Sequence, residues 1–265
     1  MFDNLDLGIL LPALLAGLLV ISTHVPLGQR VLARGIVFID LAIAQVAGLG
    51  VIVSDFVGWE ANWQVQVAAT LAALLGAALL TWTERRWPEV QEALIGVLFV
   101  AAASVELLLL AHNPHGGEHL KDLLVGQILW VRPSELLPVA GLYAVVLAIW
   151  FLFYGAGNGT GRVGQMGFYV LFALTVTQSV QLVGIYLVFA TLILPALAVR
   201  QWPAGSKLLP GYLCAVSGYI LGLLASAAFD LPTGPVIVCT LLFAFIATAA
   251  LRRRTPVMIV SQPAK

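Results

Sequence analysis

Residues 134–154 have the sequence SELLPVAGLYAVVLAIWFLFY, in which Glu135 is the only charged residue. A hydrocarbon core about 30 Å thick needs about 20 apolar residues of helix to cross it. This segment therefore predicts a transmembrane helix. Similar apolar runs, bounded by charges, glycine or proline, occupy residues 8–27, 36–57, 63–82, 91–111, 134–154, 167–185, 187–199, 208–228 and 235–251.

The composition supports the same fold class. Of the 265 residues, 61% are hydrophobic and only 10% are charged, whereas roughly a quarter of the residues of a soluble domain are charged. We therefore predict an all-α, polytopic integral membrane protein of eight or nine transmembrane helices in the lipid bilayer. Nine crossings of about 20 residues leave under about 100 residues for loops and tails, so residues 1–265 are expected to form a single transmembrane domain. With 13 basic and 13 acidic residues, no basic surface indicates a nucleic-acid partner.

The placement of Lys and Arg predicts the orientation. If the N-terminus lies outside and the C-terminus in the cytoplasm, every Lys and Arg except Lys121 and Arg132 lies inside. With this orientation, the charged residues before and after residues 167–199 lie on the same side of the membrane. Residues 167–199 must therefore cross twice or enter and return, and Gly184 and Pro195 favour a broken or short helix pair there. Residues 123–131 are too short to span and are expected to form an interfacial or re-entrant segment.

Several motifs of enzymes are absent. No lysine follows a glycine, so the phosphate-binding loop GxxxxGK[ST] does not occur, and HExxH, GxSxG and CxxC are also missing. We therefore expect a chain that is not an enzyme and does not itself hydrolyse ATP. The GTGRVG of residues 159–164 follows no strand and is expected to be part of a flexible linker. Gly218 and Gly222 form a GxxxG pattern that predicts a close helix contact.

An ionisable residue at the centre of a membrane helix raises the free energy of membrane insertion by about 2.5 to 3.5 kcal/mol, so each one calls for a functional or structural explanation. Asp40 and Gln45, both in the second span, are candidate metal contacts that face one cavity. The alternative for Asp40 is a helix-end carboxylate near Arg34, solvated from the cytoplasm. Glu106 and His24 are weaker candidates, because Glu106 lies near headgroup water and His24 follows the core of the first span.

The segment HNPHGGEH places four further metal-ligand types in one outer loop: His112, His115, Glu118 and His119. Imidazoles and carboxylates are the groups that zinc and other first-row divalent ions prefer. We expect a transient metal-docking site there. The alternative is a polar spacer, since a glycine-rich loop lacks a fixed scaffold.

Five segments carry a family resemblance: RGIVFIDLAIAQVAGLG (residues 34–50), EALIGVLF (92–99), DLLVGQILWVRPSEL (122–136), VQLVGIYLVFATLILPALAVR (180–200) and FDLPTGPVIV (229–238). Together and in this order they resemble the permease subunits of bacterial zinc and manganese uptake ABC transporters, the ABC-3 type of metal permease.

The resemblance implies a permease domain in the bacterial cytoplasmic (inner) membrane. It implies four kinds of partner: a second permease copy in a homodimer, separate ABC ATPase subunits, the lipid bilayer and, in many members, an extracytoplasmic metal-binding protein. A zinc or manganese ion would be the transported cargo, and no cofactor is expected to be bound.

The sequence departs from the family pattern in two places. Metal-transporting members resemble GDALxH in the second helix, whereas here Gln45 stands where that His falls and Asp40 is one residue out of step. The loop before Gly167 lacks the usual acidic and apolar stretch that contacts the ATPase. The alternatives are therefore an importer of a metal chelate or other small cargo, a channel or secondary transporter, and an intramembrane enzyme with metal held by the outer histidines.

Overall fold

The computed structural model describes residues 7–59, 61–110, 124–154 and 161–253. These ranges are helical and contain no strand, which confirms the all-α prediction. The helices are α1 (Leu7–Arg34), α2 (Ile39–Phe56), α3 (Asn62–Arg86), α4 (Gln91–Leu110), α5 (Pro133–Ile149), α6 (Gly161–Val183), α7 (Ile185–Ala198), α8 (Leu208–Phe229) and α9 (Thr233–Arg253). A π-helical turn, Trp150–Tyr154, continues α5.

Eight of the helices in the described ranges are long and apolar enough to cross a membrane, and α7 is a shorter apolar helix. The prediction of eight or nine spans therefore holds. Helix α1 continues to Arg34, beyond the predicted end at residue 27, and contains Pro12 and Pro26. Helix α6 begins at Gly161, so the expected linker up to Gly167 is wrong from Gly161 onward: this glycine-rich segment forms the first helical turns.

The chain breaks between α6 and α7 at Gly184, as predicted. Gly184 has φ 83° and ψ 161°, a backbone conformation that is essentially restricted to glycine. The expected break at Pro195 is wrong, because Pro195 lies inside the continuous helix α7. Proline is tolerated within membrane helices when neighbouring groups satisfy the freed carbonyl.

The helices differ in how much of their surface is buried. Most residues of α2 and α6 are buried, whereas α4, α5 and α9 expose most of theirs. The short helix α7 is also largely buried. Thus α2, α6 and α7 form the interior of the bundle, and the apolar outer surfaces of α4, α5 and α9 are suited to contact lipid.

Small residues allow several close helix contacts. A Cβ added at Gly218 would lie 2.6 Å from Leu241, and one at Gly222 would lie 2.7 Å from Ile237. The GxxxG pattern therefore packs α8 directly on α9, which confirms the predicted helix contact.

Three arginines lie together at one end of the bundle, which we call the arginine end (Arg30, Arg34 and Arg85). The Arg30 guanidinium lies 5.6 Å from the centre of the Tyr154 ring, and that of Arg34 lies 4.5 Å from the Phe168 ring. Arg85 donates a hydrogen bond from Nε to Gln165, also in the first turns of α6. The ends of α1, α3 and α5 and the start of α6 therefore meet at one face, as the charge asymmetry requires.

Three glycines meet elsewhere in the fold, at what we call the glycine junction (Gly126, Gly184 and Gly234). A Cβ added at Gly184 would lie 2.6 Å from Cα of Gly126, and one at Gly234 would lie 2.5 Å from the Val125 carbonyl oxygen. In the described part of the short segment, from residue 124, residues 124–125 are helical and a 3-10 turn follows at Ile128–Trp130. It does not span, as predicted, and it packs its backbone on the α6–α7 break.

Candidate functional site

A buried polar pair joins α2 to α4. The Gln45 side chain donates a hydrogen bond from Nε2 to Oε2 of Glu106. Gln45 is 3% exposed and Glu106 is 1% exposed. The second carboxylate oxygen of Glu106, Oε1, has no hydrogen-bond partner among the residues that the structure describes. The pair therefore presents a buried acceptor atom that a cation or a polar cargo group would satisfy.

The local sequence explains why Glu106 points inward. The buried residues of α4 are Gln91, Ile95, Ala102 and Glu106, and their spacing of four, seven and four residues follows one face of a helix. The remaining positions of α4 are half-buried or exposed, and apart from Glu92 and Ser104 they are apolar. The expectation that Glu106 extends to headgroup water is therefore wrong, and the helical spacing of these four residues is the signal that identifies its buried position.

Asp40 occupies the second position of α2. Its side chain is 1% exposed, and Oδ1 accepts a hydrogen bond of 2.8 Å from the Leu41 backbone N–H. The positive end of the helix dipole favours a carboxylate at this position. Its other oxygen, Oδ2, has no hydrogen-bond partner within the described part of the chain. The alternative of a solvated helix-end carboxylate is therefore wrong, because Asp40 is enclosed.

Asp40 and Gln45 point in different directions. They are five residues apart, which is about 140° around a helix axis, and Gln45 is directed at α4. The structure thus pairs Gln45 with Glu106. Asp40 and Gln45 therefore lie on different faces of α2 and act as two separate polar groups.

His24 lies inside α1 and is fully buried, so the expected interfacial histidine is wrong: α1 extends well past it. Its Nδ1 lies 2.9 Å from the Val20 carbonyl oxygen and 3.1 Å from the Thr23 hydroxyl. A carbonyl oxygen only accepts, so Nδ1 carries a proton in this bond. Among the described residues, Nε2 has no hydrogen-bond partner. In the neutral tautomer with the proton on Nδ1, Nε2 carries a lone pair that can bind a metal ion.

These atoms do not form one metal centre. Within residues 7–59, 61–110, 124–154 and 161–253, no group of three or more His, Cys, Asp or Glu side chains is arranged to hold a metal ion. Instead, single acceptor atoms of Asp40, Glu106 and His24 stand on three different helices. Such an arrangement suits weak contacts with a passing ion better than a tight resident site. The four predicted loop ligands, His112, His115, Glu118 and His119, lie outside the described residues.

A second polar network holds the arginine end together. Gln91 accepts a hydrogen bond of 2.9 Å from the Thr83 hydroxyl and donates from Nε2 to the Leu80 carbonyl and the Tyr169 hydroxyl. The Phe38 backbone N–H donates to Glu92 over 3.3 Å. These contacts tie α3, α4 and α6 and the α1–α2 turn into one face, which is a suitable surface for a partner subunit.

Comparison with known proteins shows matches over nearly the whole chain. Residues 6–156 and 161–252 match the ABC 3 transport family. The high-affinity zinc uptake system membrane protein ZnuB of Haemophilus influenzae is 25% identical, with 93% of this chain and 98% of ZnuB covered. The manganese transport system membrane protein MntC of Halalkalibacterium halodurans is 27% identical, with 92% and 88% covered.

A solved structure has the same fold. PsaBC from Streptococcus pneumoniae, in complex with Fab, superposes with a TM-score of 0.75 at 21% identity, and the match covers 92% of this chain and 91% of that chain. The family match covers both sides of residues 157–160, and the described ranges contain eight helices long and apolar enough to cross a membrane. This chain is therefore a multi-pass membrane permease that belongs to the ABC 3 transport family.

Proposed function

We propose that this chain is the membrane-spanning permease subunit of an ATP-driven importer of divalent metal ions, zinc or manganese, that works by alternating access. Family membership supports the transport role. The names of the relatives ZnuB and MntC support a metal cargo. The carboxylates of Asp40 and Glu106 support a cation, because each has one buried oxygen with no partner among the described residues.

The observation that carries the proposal is the Gln45–Glu106 pair. A carboxylate inside a membrane span is costly and marks a transport path by default. Glu106 receives a single amide hydrogen bond from Gln45, and its Oε1 has no partner. A divalent cation that passes this point would supply the missing interaction, and the weak local ligation would let it leave again.

The partners follow from what the chain lacks. It has no phosphate-binding loop, so ATP hydrolysis is assigned to separate ABC ATPase subunits. By the charge asymmetry, the arginine end faces the cytoplasm, where such a subunit would dock. A second permease copy would complete the pathway as a homodimer, in the bacterial cytoplasmic membrane with the N-terminus outside. An extracytoplasmic metal-binding protein would deliver the ion.

The proposed path has two stages. His112, His115, Glu118 and His119 receive the ion outside. The ion then passes Asp40, Gln45 and Glu106 as the two permease halves tilt, driven by ATP binding and hydrolysis on the partner subunits. No cofactor is required in the permease chain, since the metal is cargo.

The test is the metal content of bacteria with and without this gene under metal starvation. Zinc, manganese, iron, cobalt and nickel are measured by mass spectrometry, and Asp40→Ala is compared with the unchanged chain at equal membrane abundance. We expect a selective fall in zinc or manganese that the intact gene restores and Asp40→Ala does not. No change in any metal would overturn a free-ion cargo and favour a chelate. Full restoration by Asp40→Ala would remove Asp40 from the path.

A further inference from the structure

An open cleft lies beside the arginine end, between α5 and α6. Its volume is about 570 Å³, within the range of about 300 to 1,000 Å³ that small-molecule sites occupy. Apolar and aromatic side chains line it, among them Ile149, Phe153, Met166, Val170 and Leu171. Such a surface within a bilayer is suited to a hydrocarbon chain.

The rim of the cleft carries one charged residue, Arg85. Arg85 is exposed, and its Nε donates to Oε1 of Gln165 over 3.4 Å. A guanidinium has five N–H donors in a planar fork that matches a phosphate group. Arg85 therefore places, beside the cleft, a guanidinium with the donor geometry that a phosphate requires.

Neighbouring tryptophans mark the level of the lipid headgroups. The Trp82 and Trp87 rings pack edge to face with their centres 5.3 Å apart, and they are 56% and 39% exposed. The Arg86 guanidinium lies 5.8 Å from the centre of the Trp87 ring. Exposed tryptophans concentrate at the membrane interface. Arg85 is thus at headgroup depth, with the apolar cleft on the hydrocarbon side.

The end of α5 gives the cleft its shape. The chain widens into the π-helical turn Trp150–Tyr154, and such turns are frequent at functional sites. The Tyr154 hydroxyl donates a hydrogen bond of 2.6 Å to the Gly164 carbonyl. This bond holds α5 and α6 together at the rim.

We propose that this cleft binds an anionic phospholipid, with an acyl chain along α5 and α6 and its phosphate on Arg85. The charge and the hydrocarbon lining point to one amphipathic ligand with a negative head. Basic pockets between membrane helices are a known way to bind anionic headgroups. This site is separate from the Gln45–Glu106 pair and does not depend on the identity of the cargo.

The test measures lipid bound to the purified full chain. The purified chain is incubated with an equal mixture of phosphatidylglycerol and phosphatidylcholine. The molecules of each lipid that remain bound to the chain are then counted by native mass spectrometry. We expect phosphatidylglycerol to be retained preferentially. Arg85→Gln should lower its retention by about fivefold, the effect of losing one basic residue near an anionic headgroup. Arg85→Lys, which keeps the charge but loses the planar fork, should give an intermediate retention. Val170→Trp, which fills the cleft, should lower retention of both lipids.

Arg132→Gln is the matched control, because Arg132 is an exposed arginine at the opposite end of α5. It should leave retention unchanged. Equal retention of the two lipids, or unchanged retention in Arg85→Gln, overturns the proposal. Loss of the ATPase subunit from Arg85→Gln with lipid retention intact also overturns it, because the cleft would then bind a protein partner.

Discussion

Gln45 donates a side-chain hydrogen bond to Glu106, 61 residues later in the sequence, and this bond connects the buried faces of α2 and α4. Both side chains are almost completely buried. The amide donor holds one carboxylate oxygen, and among the described residues the second oxygen has no partner. That second oxygen is therefore the atom that a passing cation would contact.

Glu106→Gln should lower metal uptake by about tenfold or more, because it removes a charged partner of the ion and keeps an acceptor for Gln45. Stability should change little, since the side-chain shape is retained. Uptake of labelled metal and thermal unfolding of the purified chain measure the two effects. Ser104→Ala is the control: Ser104 is an exposed residue of α4 that bonds only the Val100 carbonyl. Uptake by Glu106→Gln at the unchanged level would contradict a role for the charge.

Gln45→His should shift the cargo preference toward zinc. Imidazole is a good ligand for zinc, whereas an amide carbonyl suits harder ions such as manganese. The measurement is the ratio of zinc to manganese taken up from an equal mixture. Gln201→His, at an exposed position between α7 and α8, should leave the ratio unchanged. An unaltered ratio in Gln45→His, or equal loss of both metals, would show that this position does not select the ion.

Much of the fold could be predicted from the sequence, because each apolar run has the length of one membrane crossing. The break at Gly184 was also predictable, since the orientation requires residues 167–199 to cross twice or to enter and return, and Gly184 lies between the two apolar runs. Helix ends were less predictable: Arg34 still lies within α1, because a helix continues beyond the hydrocarbon core at no cost to its hydrogen bonds.

The candidate site was less predictable than the fold. Asp40, Gln45 and Glu106 could be identified as polar residues in apolar runs. Their pairing could not, because the hydrogen bond between Gln45 and Glu106 depends on which faces of α2 and α4 meet. The glycine junction was equally hidden, since Gly126 and Gly184 are distant in sequence and meet only through backbone packing.

Gly184→Ala should destabilise the chain. Its φ of 83° and ψ of 161° impose a strain of about 1 to 3 kcal/mol on any residue with a Cβ, and the new Cβ would lie 2.6 Å from Cα of Gly126. Thermal unfolding in detergent should show a lower Tm. The control is Gly96→Ala in α4, where an added Cβ meets no atom within 4 Å and helix propensity improves by up to about 1 kcal/mol. Equal Tm shifts in the two variants would contradict a role for the junction.

Cysteine labelling should establish the orientation that the arginines predict. In a chain whose two native cysteines, Cys214 and Cys239, are replaced by alanine, Ser206→Cys between α7 and α8 should react with a membrane-impermeant maleimide only in broken cells. Leu231→Cys, in the turn between α8 and α9, should react in intact cells. Both positions are exposed, so access depends on the side of the membrane alone. The reverse pattern would place the arginine end outside, which would exclude that face as the docking surface for a cytoplasmic ATPase and contradict the rule that positive charge stays inside.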